Sequence, residues 1–144
     1  MSNLYLVNDD LRWETTDTKN IGFDFGLFNN KLSGSLNYYY NTTEDLLIEK
    51  VMPPSAGIYN PTVNVGKMVN KGFELELNYG DNINGFDYNI GFNLSTIHNE
   101  MLKADPNQVL YGSAWKGDGH FVTQTLKGYP VASFWLYQTD GIFQ

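Results

Sequence analysis

Apolar and polar residues take turns along four stretches of this chain. Ile21, Phe23, Phe25 and Leu27 alternate with Gly22, Asp24 and Gly26. Beyond Asn29-Asn30-Lys31, Leu32, Leu36, Tyr38 and Tyr40 alternate with Ser33, Ser35, Asn37 and Tyr39, with Gly34 in the apolar register. A period of two gives each stretch one apolar and one polar face, the pattern of a β-strand. The polar turn between them suits a hairpin, because Asn tolerates the left-handed backbone that tight turns need. The design then repeats. Phe73, Leu75, Leu77 and Tyr79 alternate with Glu74, Glu76 and Asn78; a turn follows at Asp81-Asn82-Ile83-Asn84-Gly85; and Phe86, Tyr88, Ile90, Phe92 and Leu94 alternate with Asp87, Asn89, Gly91, Asn93 and Ser95.

Between and beyond the hairpins the pattern weakens. Leu4-Tyr5-Leu6-Val7 is a short apolar run, and residues 11–16 read as the approach to the first strand. Residues 46–52 are able to prolong the second strand until Pro53-Pro54 stops it. Residues 55–70, with Gly57, Pro61 and Gly66, read as an irregular connection. After Leu94 the alternation loosens through Ile97 and Met101, and Asp105-Pro106-Asn107 opens a second long connection that ends at Gly128-Tyr129-Pro130. Residues 131–143 are aromatic but alternate poorly, and we expect a fifth strand there. Short turns therefore join strands one to two and three to four, and long connections join two to three and four to five. The expected fold is all-β, an antiparallel up-and-down meander with its short turns on one side and its long loops on the other. Outer-membrane barrels have that asymmetry.

Composition narrows the choice. The 144 residues make one domain's worth of chain, rich in Gly and aromatics, with a net charge of −7 that repels phosphate backbones and argues against nucleic acid as a partner. No apolar run reaches the ~20 residues of a membrane helix, but barrel strands hide their apolar residues at alternate positions. There is no cysteine, hence no disulfide framework or thiolate metal site. The start shows no basic segment followed by an apolar core, so the expectation is an intracellular protein or an internal piece of a longer one.

Alternation alone does not separate a lipid-facing sheet from a soluble β-sandwich. Three features favour lipid. The apolar-face positions carry no charge, and a Lys or Arg at the bilayer midplane there costs ~2–4 kcal/mol. Residues 32–40 match the ~9–11 residues of a tilted spanning strand. Aromatics gather near the strand ends: Tyr38, Tyr40 and Phe73 towards the long connections, Tyr79, Phe86 and Tyr88 towards the short turns. The paired segments also carry no Lys on their polar face, whereas a soluble edge usually uses Lys against unwanted pairing. On the barrel reading the polar residues Asp24, Asn37, Glu74, Glu76, Asp87, Asn89 and Asn93 line the lumen or touch a plug. Five strands do not close a barrel, for which about eight is the minimum, so the expectation is a fragment.

Little else suggests chemistry. His98 and His120 are far apart in sequence and lack an acidic partner at ligand spacing. Asp81-Asn82-Ile83-Asn84-Gly85 puts Ile83 where a calcium loop needs oxygen, and Gly117-Asp118-Gly119-His120 lacks the third glycine of a dinucleotide loop. Both read as turns, and no cofactor is expected. Glu74 and Glu76 share a strand face about 7 Å apart, a spacing that glycoside hydrolysis is able to use, although lumen-facing acids are the simpler account. Tyr59, Tyr111, Trp115 and Trp135 lie in or near the long connections, positioned either for ring stacking on a ligand or for local packing.

Three markers in order resemble a known family. Leu11-Arg12-Trp13-Glu14-Thr15-Thr16, followed by Asn20-Ile21-Gly22-Phe23-Asp24-Phe25-Gly26 and Leu32-Ser33-Gly34-Ser35-Leu36-Asn37-Tyr38-Tyr39, is similar to the barrel of SusC/RagA-type TonB-dependent outer-membrane transporters. Asn64-Val65-Gly66-Lys67-Met68-Val69-Asn70-Lys71-Gly72-Phe73-Glu74 resembles the next marker. Gly128-Tyr129-Pro130, Ser133-Phe134 and Thr139-Asp140-Gly141-Ile142-Phe143-Gln144 resemble a third. Trp135-Leu136 departs from the family's usual Tyr-Gly pair. The resemblance implies part of a transmembrane barrel in a Gram-negative outer membrane, with plug, signal peptide and closing strands outside this chain. It implies no enzyme but import of oligosaccharides or peptides, with a SusD-like surface lipoprotein as partner, the TonB complex as energy source and outer-membrane lipid around the wall. The rival readings are a soluble carbohydrate-binding β-sandwich using the loop aromatics and a β-rich hydrolase using Glu74 and Glu76.

Overall fold

A computed structural model describes residues 8–57, 59–112, 120–136, 138, 140 and 141. Four long strands, β1 (Thr15–Leu27), β2 (Leu32–Glu49), β3 (Thr62–Ile83) and β4 (Phe86–Lys103), form one sheet in the order β1-β2-β3-β4. Neighbours in sequence are neighbours in the sheet, so this is an up-and-down meander, and among the described residues β1 and β4 each have a strand partner on one side only. Three short strands, β5 (Leu110–Tyr111), β6 (Thr123–Thr125) and β7 (Ser133–Phe134), make a second, antiparallel sheet in the order β5-β6-β7.

The two short turns work as the sequence suggests, each in its own way. Phe28, Asn29 and Asn30 have φ of 54°, 58° and 63°, and the Lys31 N–H donates to the Phe28 carbonyl at 3.2 Å. The second turn is tighter than the five residues expected. It is the dipeptide Asn84-Gly85, with φ of 52° and 88°, the backbone signature of a two-residue primed hairpin loop. The Asn82 side chain steadies it by accepting from the Gly85 N–H at 3.1 Å and donating to Asp87 Oδ1 at 2.6 Å.

The strands are longer than the alternation alone indicates. Residues 55–70 are not one irregular connection, since β3 begins at Thr62. Val63 and Val65 favour strand, and Gly66 is filled from above by Leu46 and Ile48. β2 runs to Glu49, after which Pro53-Pro54 leads into a single 3-10 turn (Pro54–Ala56) closed by Gly57 at φ 63°. β4 continues through the loosened stretch to Lys103. Among the described residues, the expected fifth strand is confined to Ser133–Phe134, in the small sheet rather than beside β4. The longer strands also take in Lys19, Lys67, Lys71 and Lys103, although Lys19, Lys67 and Lys71 fall in step with the apolar rather than the polar positions. Residues 4–7, Trp115, Gly117-Asp118-Gly119, Tyr137, Thr139 and Ile142-Phe143-Gln144 lie outside the described residues.

The chain divides into two compact units, and the division falls inside the strands. One comprises Thr16–Thr42 and Val69–His98; the other comprises Met1–Thr15, Thr43–Met68 and Asn99–Gln144. Among the described residues the buried apolar side chains are Val69 in the first and Met101 in the second, each 3% exposed. By contrast Phe23 is 64%, Ile90 63% and Leu36 37% exposed, and Leu75 is half-buried. Each large apolar side chain left in water forgoes about 1.5–3 kcal/mol. A self-sufficient sandwich interior is therefore not what this sheet builds.

Candidate functional site

The first unit is a two-faced wall. Its apolar face is spread by cross-strand packing: Phe25 and Leu77 close over Gly34, filling the gap that glycine leaves in the apolar row. Phe23 and Phe25 stack at 6.2 Å, and Phe86 and Tyr88 stack at 6.4 Å beside the Asn84-Gly85 turn. No acid or base occupies the run of apolar positions on any of the four strands, which is where a charge would cost ~2–4 kcal/mol in hydrocarbon.

The polar face is tiled by asparagine side chains lying over glycines. Asn37 Oδ1 sits where a Cβ on Gly22 would stand, Asn78 Oδ1 lies 3.1 Å from that position on Gly91, and Asn89 Oδ1 lies 3.8 Å from that position on Gly80. This low relief was not legible from the alternation, because the pairs come from different strands. Asp24, Asn37, Glu74, Glu76, Asp87, Asn89 and Asn93 all occupy polar-register positions of β1 to β4. Asn37 is half-buried and the other six are exposed. Glu76 accepts from Asn78 Nδ2 at 3.0 Å, which ties it into the amide tiling. At the short turns, Lys31 bonds Asp81 at 2.6 Å while its carbonyl accepts from the Gly80 N–H at 2.8 Å, so the first turn is fastened to β3. Ser33, Asn78, Gly80, Asp87 and Asn89 line an open polar depression there.

The second unit is held by side-chain amides. Asn64 accepts from the Arg12 N–H at 2.9 Å and donates to the carbonyls of Arg12 at 2.9 Å and Asp45 at 2.7 Å. Asp45 has φ of 58° inside β2, the mark of a bulge that shifts the alternation by one residue. Glu14 Oε1 accepts from the Leu47 N–H at 2.8 Å just beyond it, and Lys67 bonds Glu44 at 2.6 Å. Gln108 takes the place of a neighbouring strand: its Nε2 donates to the Glu49 carbonyl at 2.8 Å and its Oε1 accepts from the Val51 N–H at 3.0 Å. The Gly128-Tyr129 marker pairs with β4, since Gly128 N–H donates to the Met101 carbonyl at 2.8 Å and Met101 N–H to the Tyr129 carbonyl at 3.0 Å.

The loop aromatics separate into groups. Tyr111 stacks on Phe121 at 4.7 Å, a partner that sequence reasoning missed. Trp135 follows β7 in the same small sheet, tied by its N–H to the Val122 carbonyl at 2.9 Å. Tyr111 and Trp135 are 55% and 64% exposed. Tyr59 stands exposed on the β2–β3 connection, and Trp115 lies outside the described residues.

Residues 1–136 match the family model described as TonB dependent receptor-like, beta-barrel. The chain belongs to that family. Among curated relatives, TonB-dependent receptor P3 of Formosa agariphila is 36% identical over 96% of this chain, and TonB-dependent receptor SusC of Bacteroides thetaiotaomicron is 30% identical over 91%. A solved RagAB peptide transporter superposes on 88% of this chain with a TM-score of 0.70 at 31% identity. The SusC/RagA-type resemblance read from the three markers is thus borne out. This TonB-dependent receptor barrel segment spans 14% of each of these relatives. Its all-β, antiparallel meander is a partial barrel wall, and the relatives are named receptors and a transporter rather than enzymes.

Proposed function

We propose that this chain is a length of barrel wall in an outer-membrane importer of the SusC type, taking up oligosaccharides or peptides with a SusD-like surface lipoprotein and TonB as the energy source. The observation that carries the reading is a sheet whose apolar face is left uncovered and whose first and last strands, among the described residues, each lack a second neighbouring strand. In lipid that face is satisfied, and the open edges require neighbouring strands because unpaired backbone groups there cost several kcal/mol each. Asp24, Asn37, Glu74, Glu76, Asp87, Asn89 and Asn93 then line the lumen or abut the plug. Tyr59, Tyr111 and Trp135, together with Trp115 from its place in the sequence alone, are then the aromatic residues of the long connections that would meet a sugar or peptide outside the membrane. The test uses the full-length protein. It should fractionate with the outer membrane, shift in electrophoretic mobility on boiling as a folded barrel does, and support nutrient uptake only with a working TonB system. Recovery in the soluble fraction without detergent, or uptake indifferent to TonB, overturns the reading.

A further inference from the structure

The apolar face of the first unit ends in a row of bases. On β1, Lys19 stands two residues before Ile21, and on β3, Lys71 stands two residues before Phe73, so both lysines share the side of the apolar set. Between them β2 carries Tyr38 and Tyr40 on the same face. One shallow recess is lined by Lys19, Ile21, Tyr38 and Tyr40, and an adjoining one by Tyr38, Lys71, Phe73 and Ile97. Tyr38 is the shared wall, with a lysine on each side. At ~4.8 Å between neighbouring strands, the backbones bearing the two lysines lie about 10 Å apart.

The charge runs against the rest of the chain, which has nine bases to sixteen acids. Asp17 lies 3.5 Å from Lys19, but both are largely exposed, and such pairs are weak and easily exchanged. Lys71 takes part in no ion pair among the described residues. His98, on β4, lines the second recess and adds no negative charge. The row lies farther along the strands from the two short turns than the apolar set does, on the side of the long connections, which in outer-membrane barrels face outward. Lysine stems lie along apolar surface while their ammonium groups reach the headgroup level, and tyrosines favour the same level.

We propose that Lys19 and Lys71, flanking Tyr38, seat one phosphorylated glycolipid of the outer leaflet. Each ammonium takes a phosphate, Tyr38 and Tyr40 lie against the sugar, and the acyl chains run down over Ile21 and Phe73. This inference rests on the outer-membrane reading above. The experiment compares the full-length protein with Lys19→Gln/Lys71→Gln, Lys19→Arg/Lys71→Arg and the distant Lys127→Gln, each extracted mildly from outer membranes. Native mass spectrometry counts glycolipid retained per barrel, and bicelles containing either the bisphosphorylated glycolipid or its dephosphorylated form test rebinding. Each lysine is expected to contribute about fivefold, and the pair roughly twenty- to thirtyfold, from attraction of bases to anionic lipid. The Gln pair should lose that retention, the Arg pair and Lys127→Gln should keep it, and the dephosphorylated lipid should bind wild type as poorly as the Gln pair binds the phosphorylated one. Equal retention by wild type and the Gln pair, equal binding of the two glycolipids, or preference for an anionic phospholipid overturns the proposal while a membrane-inserted, heat-modifiable barrel leaves the transporter reading standing. Failure of wild type to reach the outer membrane overturns both.

Discussion

The two units are held together by different means. In the first, residues 16–42 and 69–98, tight turns and strict alternation set the structure, and most large apolar side chains remain exposed. In the second, Asn64, Gln108 and Glu14 bond backbone groups far away in sequence, joining segments that have no regular period. The first is wall and the second is joinery. A wall segment draws its stability from what lies outside the chain, whereas joinery is specified by single polar side chains within it.

The contrast is broken most severely by a charge on the wall. Ile90→Lys puts an ammonium in the middle of the apolar row of β4 and is expected to destabilise the full-length barrel by ~2–4 kcal/mol, read as a lowered denaturation midpoint in lipid or detergent. Asn89→Lys, one residue away on the polar face, should change it little. Next comes Gly72→Ala. A Cβ there collides with the Thr96 carbonyl and the Tyr39 ring, and overpacking of this kind costs about 1–3 kcal/mol. A thermal shift of the purified barrel checks it, and Tyr39→Leu should not recover the loss because the carbonyl clash remains.

The joinery is expected to fail locally. Asn64→Ala removes three hydrogen bonds and leaves the Arg12 N–H and the carbonyls of Arg12 and Asp45 short of partners, at about 1–3 kcal/mol. Hydrogen exchange should quicken around Arg12 and the Asp45 bulge and stay unchanged at Phe86–Leu94. Gln108→Ala has the smallest effect, about 0.5–1.5 kcal/mol for both solvent-exposed bonds together, seen as faster exchange of the Val51 amide alone.

Much of the wall was legible in the sequence because a period of two is a direct record of which side each residue faces. The hairpins and the open apolar face follow from it. Its ends were not legible: Val63 and Val65 hide among Asn64, Gly66 and Pro61, and only Leu46 and Ile48 packing over Gly66 explain a strand there. The Asp45 bulge breaks the alternation at the point where the second strand was hardest to follow. The polar-face residues were legible as a set, but the tiling of Asn37 over Gly22 and Asn78 over Gly91 depends on cross-strand neighbours. Asn64 and Gln108 looked like ordinary loop polars, since the backbone groups they bond belong to distant segments.

The most direct test is accessibility along the strands of the full-length protein in a bilayer. Spin labels at cysteines replacing Phe23, Asp24, Asn89 and Ile90 should alternate: positions 23 and 90 relaxed by oxygen dissolved in lipid, positions 24 and 89 by a water-soluble nickel complex. Labels at 23 and 90 that meet neither reagent, or that meet the nickel complex as readily as their neighbours do, contradict a wall turned towards lipid.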